Sequence, residues 1–268
     1  MSHHFGRDLA EDFVEIASLL DKARSSGAQL VVLPEAALGG YLTGLDGEPD
    51  GLPPALDTDG PEIERLAQLA EELVVCAGYC EADGYRRYNS AVCVHDGQTI
   101  GHHRKVHQPL GESASYTSGD SFAAFDTPLG RLGMLICYDK AFPESARALA
   151  LDGAEMIASL SAWPAARTNP HPDLEKDRWT ARFDLFDQAR ALENQVVWVS
   201  ANQSGTFGSL RFVGRSKIVG PGGEVLAETG TGPGMAVAEV DLDHDLATAR
   251  RAMFQLRDRR PLAYGSAL

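Results

Sequence analysis

The chain has 268 residues and carries 24 Lys and Arg against 38 Asp and Glu, a formal charge of −14. A surplus of negative charge that large repels nucleic acid phosphates and anionic lipid, which argues against binding to either. The length fits one large or two modest domains and suffices to bury roughly three quarters of the unfolded surface without a metal or disulfide staple.

Four cysteines (Cys76, Cys80, Cys93 and Cys137) and no basic-then-apolar leader point to free thiols in a reducing compartment, hence to a cytoplasmic protein. No stretch approaches the ~20 apolar residues of a membrane span. No repeat period or low-complexity tract is visible.

Taken in order, residues 8–26 place Leu9, Phe13, Ile16, Leu20 and Ala23 at helical spacing, which predicts a helix with one buried stripe, stopped by Gly27. Residues 30–33 are a continuous apolar run, short enough for a fully covered strand, and deliver Glu35 at the strand tip. Residues 39–60 are rich in Gly, Pro and Asp and predict a loop. Tyr41 lies within it, six residues past Glu35, placed either to line the same cleft or to clamp the loop to the core. Residues 61–73 return to helical spacing, with Pro61 suited to the first turn, and residues 74–79 read as a strand.

Residues 88–95 and 98–105 flank Asp96-Gly97 and predict a β-hairpin. Alternation along the second arm puts Arg104 and Lys105 on opposite faces, so that one reaches solvent while the other points inward. His102, His103 and His107 cluster here without the spacing or acidic ligands of a zinc site, and no metal is expected. An irregular stretch containing Glu112 follows, then a strand pair ending at Leu135-Ile136-Cys137-Tyr138.

Cys137 is thus a thiol at the tip of a short apolar strand, with a turn and helix after it in which Pro143 suits the first helical turn. A sulfur there feels the positive end of the helix dipole, which favours thiolate. The plainer alternative is a small buried hydrophobe. Beyond it the pattern predicts a helix over 145–151, a strand over 155–160 running into Trp163, a loop over 165–172, a helix over 173–193 and a strand over 196–202. A late hairpin over 212–227 and a last strand over 235–240 complete an alternating α/β fold.

Three strand-end segments, Leu33-Pro34-Glu35, His103-Arg104-Lys105 and Ile136-Cys137-Tyr138-Asp139, occur in an order that resembles the nitrilase superfamily of carbon-nitrogen hydrolases. Phe142-Pro143-Glu144, the run from Ala189 to Asn194, Gly214-Arg215-Ser216 and Arg257-Asp258-Arg259-Arg260-Pro261 match its later landmarks, so that the likeness spans residues 6–264. The resemblance implies a single domain over 1–268, an αββα sandwich of two face-to-face sheets with helices on both outer faces, and pairing into homodimers. It also implies a strand near the start that residues 1–5 are too short and polar to supply in full. A first strand missing or shortened, from a truncated or misassigned start, is therefore expected.

The resemblance further implies catalysis by Glu35, Lys105 and Cys137, with Glu112 as a second active-site glutamate. The substrate would be a small linear amide, cleaved through a thioester without metal or organic cofactor, and Tyr41, Tyr138 and Trp163 would shape its pocket. Cys137-Tyr138-Asp139 is more similar to the amidase branches than to nitrilases. An N-carbamoyl amidohydrolase comes second and a nitrilase third. A catalytically silent binding protein on the same fold is the rival from another class, and a serine hydrolase is set aside because no G-x-S-x-G elbow is present.

Overall fold

The computed structural model describes residues 1–45 and 51–264. The part of the predicted 39–60 loop that covers residues 46–50 lies outside the described residues. Helix α1 (Leu9–Ser25) begins where Asp8 accepts hydrogen bonds from the Ala10 and Glu11 N–H groups, and it buries Phe13, Ile16, Leu20 and Ala23. Helix α2 (Pro61–Ala70) starts on its proline and buries Ile63, Leu66, Ala67 and Ala70. Both stripes are those of the sequence pattern.

The helices cover one sheet. Its strands are β2 (Leu30–Val32), β3 (Val74–Asp83), β4 (Arg86–His95) and β5 (Gln98–Arg104), in the order β2-β3-β4-β5. The turn between β4 and β5 holds Asp96 at φ 47° and Gly97 at φ 73°, as a tight hairpin requires. The second sheet runs β12-β11-β9-β8-β7-β6, from β6 (Phe125–Thr127), β7 (Gly130–Ile136), β8 (Met156–Ser161), β9 (Val197–Phe207), β11 (Lys217–Val219) and β12 (Val225–Glu228). Strands β7, β8 and β9 are parallel, joined by crossovers through α3 (Pro143–Leu151) and α4 (Arg178–Asn194), so their carboxyl ends lie along one edge. In parallel sheets that edge is where ligands usually bind.

Alternate residues divide the strands between layers. Val31, Val75, Ala77, Val92 and Val94 pack on α1 and α2, while Val32, Cys76, Ala91 and Cys93 meet Leu132, Met134, Ile136, Ala158 and Leu160 of the other sheet. Leu135, Ile157 and Trp198 pack outward with Ala146 and Leu149 of α3 and Ala191 of α4. The layers are therefore helix, sheet, sheet, helix. Among the described residues no helix is long and apolar enough to cross a membrane.

The first strand is present but short: β1 (Ser2–His3) pairs in parallel with Asn202 and Gln203 of β9. Several boundaries differ from the pattern: α2 stops at Ala70, β3 runs on to Asp83 and β9 to Phe207. α4 starts at Arg178, capped by Asp177, because residues 174–176 form a separate 3-10 turn. The stretch 212–219 is broken by Gly214 at φ 65° and Arg215 at φ 59°, so β10 (Leu210–Val213) pairs with Ser204 to Phe207 at the far end of β9 while β11 pairs with Trp198 to Ser200 of the same strand. Residues 235–240 run without a partner strand. A cavity of about 580 Å³ is lined by Val31 and Val32 together with Val237 and Val240. Met1 lines that cavity, its ammonium donating to the Val32 carbonyl at 3.1 Å and pulled down to about 5 by burial. Helix α5 (Leu242–Ala252) and two short helices, α6 (Gln255–Asp258) and α7 (Pro261–Tyr264), follow.

Candidate active site

Glu35 stands three residues past the end of β2, fully buried. The backbone of β3 passes so close that a Cβ added at Gly78 would lie 2.4 Å from the Ala36 nitrogen and 2.7 Å from the Glu35 Cα. Only glycine permits that approach. The carboxylate is held at both oxygens: Oε1 accepts from Lys105 Nζ at 2.7 Å and Asn89 Nδ2 at 2.6 Å, and Oε2 accepts from the Ala162 N–H at 2.6 Å.

Lys105 follows the end of β5, its own N–H donating to the Asn89 carbonyl at 2.8 Å. As alternation requires, it points inward while Arg104 turns outward to Glu81, Asp83 and the Tyr88 ring. The ammonium also meets Glu112 Oε1 at 3.0 Å and Oε2 at 2.8 Å, so three donors meet three acceptor atoms. Burial works against the charge, but Glu112 and Glu35 outweigh it and hold the ammonium above its ordinary value. Glu112, in a 3-10 turn over 110–114, is itself pushed up by burial, with Lys105 pulling the other way. Asn89 Nδ2 bridges the two carboxylates, 2.6 Å from Glu35 and 2.7 Å from Glu112.

Cys137 is the first residue of a 3-10 turn at the end of β7 and sits at φ 50°, a left-handed conformation that costs a non-glycine residue on the order of 1–3 kcal/mol. The turn is bolted by Asp139. Its carboxylate accepts from the Ile136 N–H at 3.1 Å and the His107 N–H at 2.9 Å, and pairs with the rings of His103 and His107. Burial alone would raise Asp139; the two histidines outweigh it and hold the acid at about 2. His102 pairs with Glu81 instead, so the three histidines serve two carboxylates.

The thiol does not behave as its place at a turn start suggests. Burial pushes it well above its ordinary value and Glu35 adds to this, while Lys105 and the Ala162 N–H pull back without cancelling. A buried sulfur beside a carboxylate rests as the thiol, because desolvation and like charge both disfavour thiolate. A short 3-10 turn offers too little dipole to reverse that.

Of the remaining sequence-predicted residues, Tyr41 is buried, its hydroxyl raised by burial and by the neighbouring Glu112 and Glu35 carboxylates, and Lys105 Nζ lies 5.8 Å from its ring centroid. Tyr138 follows Cys137 and packs edge-on against Phe142. Trp163 adjoins Ala162, but its indole N–H is tied to the Trp179 carbonyl at 3.0 Å and its ring packs on Trp179, Phe183 and Phe186. Its ring is thus a packing element that backs the site. Sequence reasoning missed Asn89 and Ala162. Asn89 had a usable signal, a polar residue just before the apolar run from Ala91 to Val94. Ala162 contributes only its backbone and had none.

Residues 3–250 match the carbon-nitrogen hydrolase family. The chain is 32% identical over 265 residues to an omega-amidase of Xenopus tropicalis, covering 94% of this chain and 90% of that protein. It superposes with a TM-score of 0.84 and 28% identity on a carbon-nitrogen hydrolase from Helicobacter pylori, over 98% of this chain and 94% of the other. A mutant amidase from Nesterenkonia sp. AN1, solved with acrylamide added at its active-site cysteine, superposes with a TM-score of 0.78 and 25% identity over 98% of this chain and 96% of its own. With a match that spans nearly its whole length, this chain belongs to the carbon-nitrogen hydrolase family.

Proposed function

We propose that the protein is a cysteine-dependent amidase that hydrolyses the C–N bond of a small linear amide through a thioester on Cys137. The observation that carries this reading is the buried Lys105 ammonium shared between Glu35 at 2.7 Å and Glu112 at 2.8 Å, beside a buried thiol that feels all three charges.

Because the resting group is a thiol, proton removal accompanies attack rather than preceding it. Glu35 takes the proton as the sulfur bonds to the amide carbon, and the carbonyl electron pair moves onto oxygen. The positive charge of Lys105 and the backbone N–H of Tyr138 stabilise that oxyanion; one hydrogen-bond donor so placed is worth roughly 10²–10³ in turnover. When the C–N bond breaks, Glu35 returns its proton to the departing nitrogen, and ammonia or an amine leaves. A water then gives a proton to Glu35 and attacks the thioester; the C–S bond breaks and the thiol is restored with release of the carboxylic acid. Glu112 orients the substrate and that water, Asn89 fixes the spacing of the two carboxylates, and Tyr41 and Tyr138 wall the acyl pocket.

Neutral small amides fit a site whose nucleophile is only 4% exposed. The test is ammonia release across short aliphatic amides, dicarboxylic monoamides, N-carbamoyl compounds and nitriles. Turnover confined to amides supports the reading, preference for the N-carbamoyl group or the nitrile replaces it with another member of the same chemistry, and no turnover of any class contradicts it.

A further inference from the structure

A second buried ammonium lies three residues beyond the nucleophile. Lys140 is fully buried in the same turn as Cys137, its Nζ 2.7 Å from Asp187 Oδ1 and 3.3 Å from the centroid of the Phe183 ring. Asp187 Oδ1 also accepts from the Trp198 indole at 2.9 Å. Its Oδ2 has no hydrogen bond, and its nearest cation is Lys217 at 3.6 Å, which is itself committed to Asp184 at 2.7 Å. Three residues further along α4, Arg190 donates from Nε to the Lys140 carbonyl at 2.9 Å and from Nη2 to the Ala141 carbonyl at 3.2 Å. Asp187 and Arg190 share one face of the helix, one turn apart.

These contacts all converge on one segment. The left-handed Cys137 needs its neighbours over-determined to persist. Asp139 ties the turn to the β5 side through His103 and His107, and Asp187 and Arg190 tie it to α4. The pairing is costly to keep, since a buried ion pair is often no better for stability than apolar residues of equal volume. Its position argues for a use beyond stability.

Resting on the amidase reading above, we propose that Lys140, Asp187 and Arg190 are positioning residues, which hold the Cys137 turn from the α4 side and so fix the direction in which the sulfur points. They touch no reacting atom. Their removal lets the turn relax toward an ordinary conformation and swings the sulfur off line, and a displacement of about 1 Å at a reacting centre can cost roughly a hundredfold in rate.

The test compares Lys140→Met, the paired replacement Lys140→Leu with Asp187→Leu, and Arg190→Lys, which keeps the charge but loses the forked contact. Three quantities are read: kcat and KM for ammonia release, the rate at which iodoacetamide alkylates Cys137, followed on its own peptide, and the melting temperature. Lys140→Met lowers kcat by about ten- to a hundredfold with KM nearly unchanged, and changes the alkylation rate of Cys137. The paired apolar replacement recovers the melting temperature but not kcat, and Arg190→Lys gives a smaller loss in the same direction. Recovery of kcat together with the melting temperature would make the cluster a packing feature and overturn the proposal, as would an unchanged alkylation rate and kcat in Lys140→Met. Should the wild type release no ammonia from any amide, the amidase reading fails, while the alkylation rates still decide whether α4 holds the turn. Poor folding of Lys140→Met leaves the paired replacement and Arg190→Lys to give the answer.

Discussion

Two lysines, Lys105 and Lys140, are both fully buried and both paired to a carboxylate at 2.7 Å, yet they do opposite things. Lys105 faces two carboxylates, so its pocket holds a surplus of one negative charge when all three groups are ionised, and the ammonium is raised in spite of burial. Lys140 faces one carboxylate and an aromatic ring, and burial prevails to lower it. Lys217 links Asp187 to Asp184, which Arg215 also pairs at 3.0 Å, so the second cluster runs on into further ion pairs. The difference teaches that burial and an ion pair alone do not mark a reactive site. An unbalanced charge beside a nucleophile does, because proton transfer can relieve it.

On the proposed reading, the largest expected effect comes from the Cys137 thiol. Cys137→Ala abolishes ammonia release, and Cys137→Ser nearly does so, because a hydroxyl is a far weaker nucleophile near neutral pH. Activity surviving in Cys137→Ala would end the comparison. Lys105→Met comes next: two carboxylates are left buried without a cation, which costs about 3–5 kcal/mol of stability and a further 10²–10³ in turnover, read by thermal melting and by rate. A variant that melts as the wild type does would show that the two glutamates share a proton instead of a cation.

Glu112→Gln sharpens the account through pH. Burial raises Glu112 above the usual carboxylate range, so if its charge is needed, kcat/KM falls on the acid side at a pH higher than an ordinary glutamate would give. In Glu112→Gln that limb disappears along with part of the rate. The same shift has a sign for folding. A carboxylic acid whose folded value lies above its unfolded one contributes stability that is full below the unfolded value and is lost as pH rises through the folded one. Glu112→Gln therefore removes a pH-dependent loss of stability between those limits, which melting curves at several pH values would show. The smallest effect is at Arg104, on the outer side of the same strand end. Arg104→Ala breaks the pairing with Glu81, which His102 and Ser90 still satisfy, costs about 1–3 kcal/mol, and leaves turnover within about twofold of wild type, since it faces away from the site.

Much of this was legible in the sequence. Glu35 and Cys137 each follow a short apolar run and Lys105 closes the second arm of a hairpin; the family resemblance is what grouped the three. The split of Arg104 from Lys105 followed from the two-residue period alone. What the sequence hid was whatever depends on contacts between distant segments. Asn89 bridges Glu35 and Glu112, 54 and 23 residues away, and Ala162 acts through a backbone N–H that any residue but proline carries. The state of the thiol is another case: local position suggested a helix dipole that favours thiolate, whereas burial and Glu35, 102 residues away in the chain, push the thiol up. The strand expected over 235–240 had the right composition, but a strand exists only when a partner pairs with it, and none pairs with these residues among those described.

Mass spectrometry of the wild type quenched during turnover of a short amide tests the central claim most directly. The account predicts an acyl group on the peptide containing Cys137 and none on those containing Cys76, Cys80 or Cys93. Full turnover with Cys137 unmodified at every time point, and retained by Cys137→Ala, would contradict it.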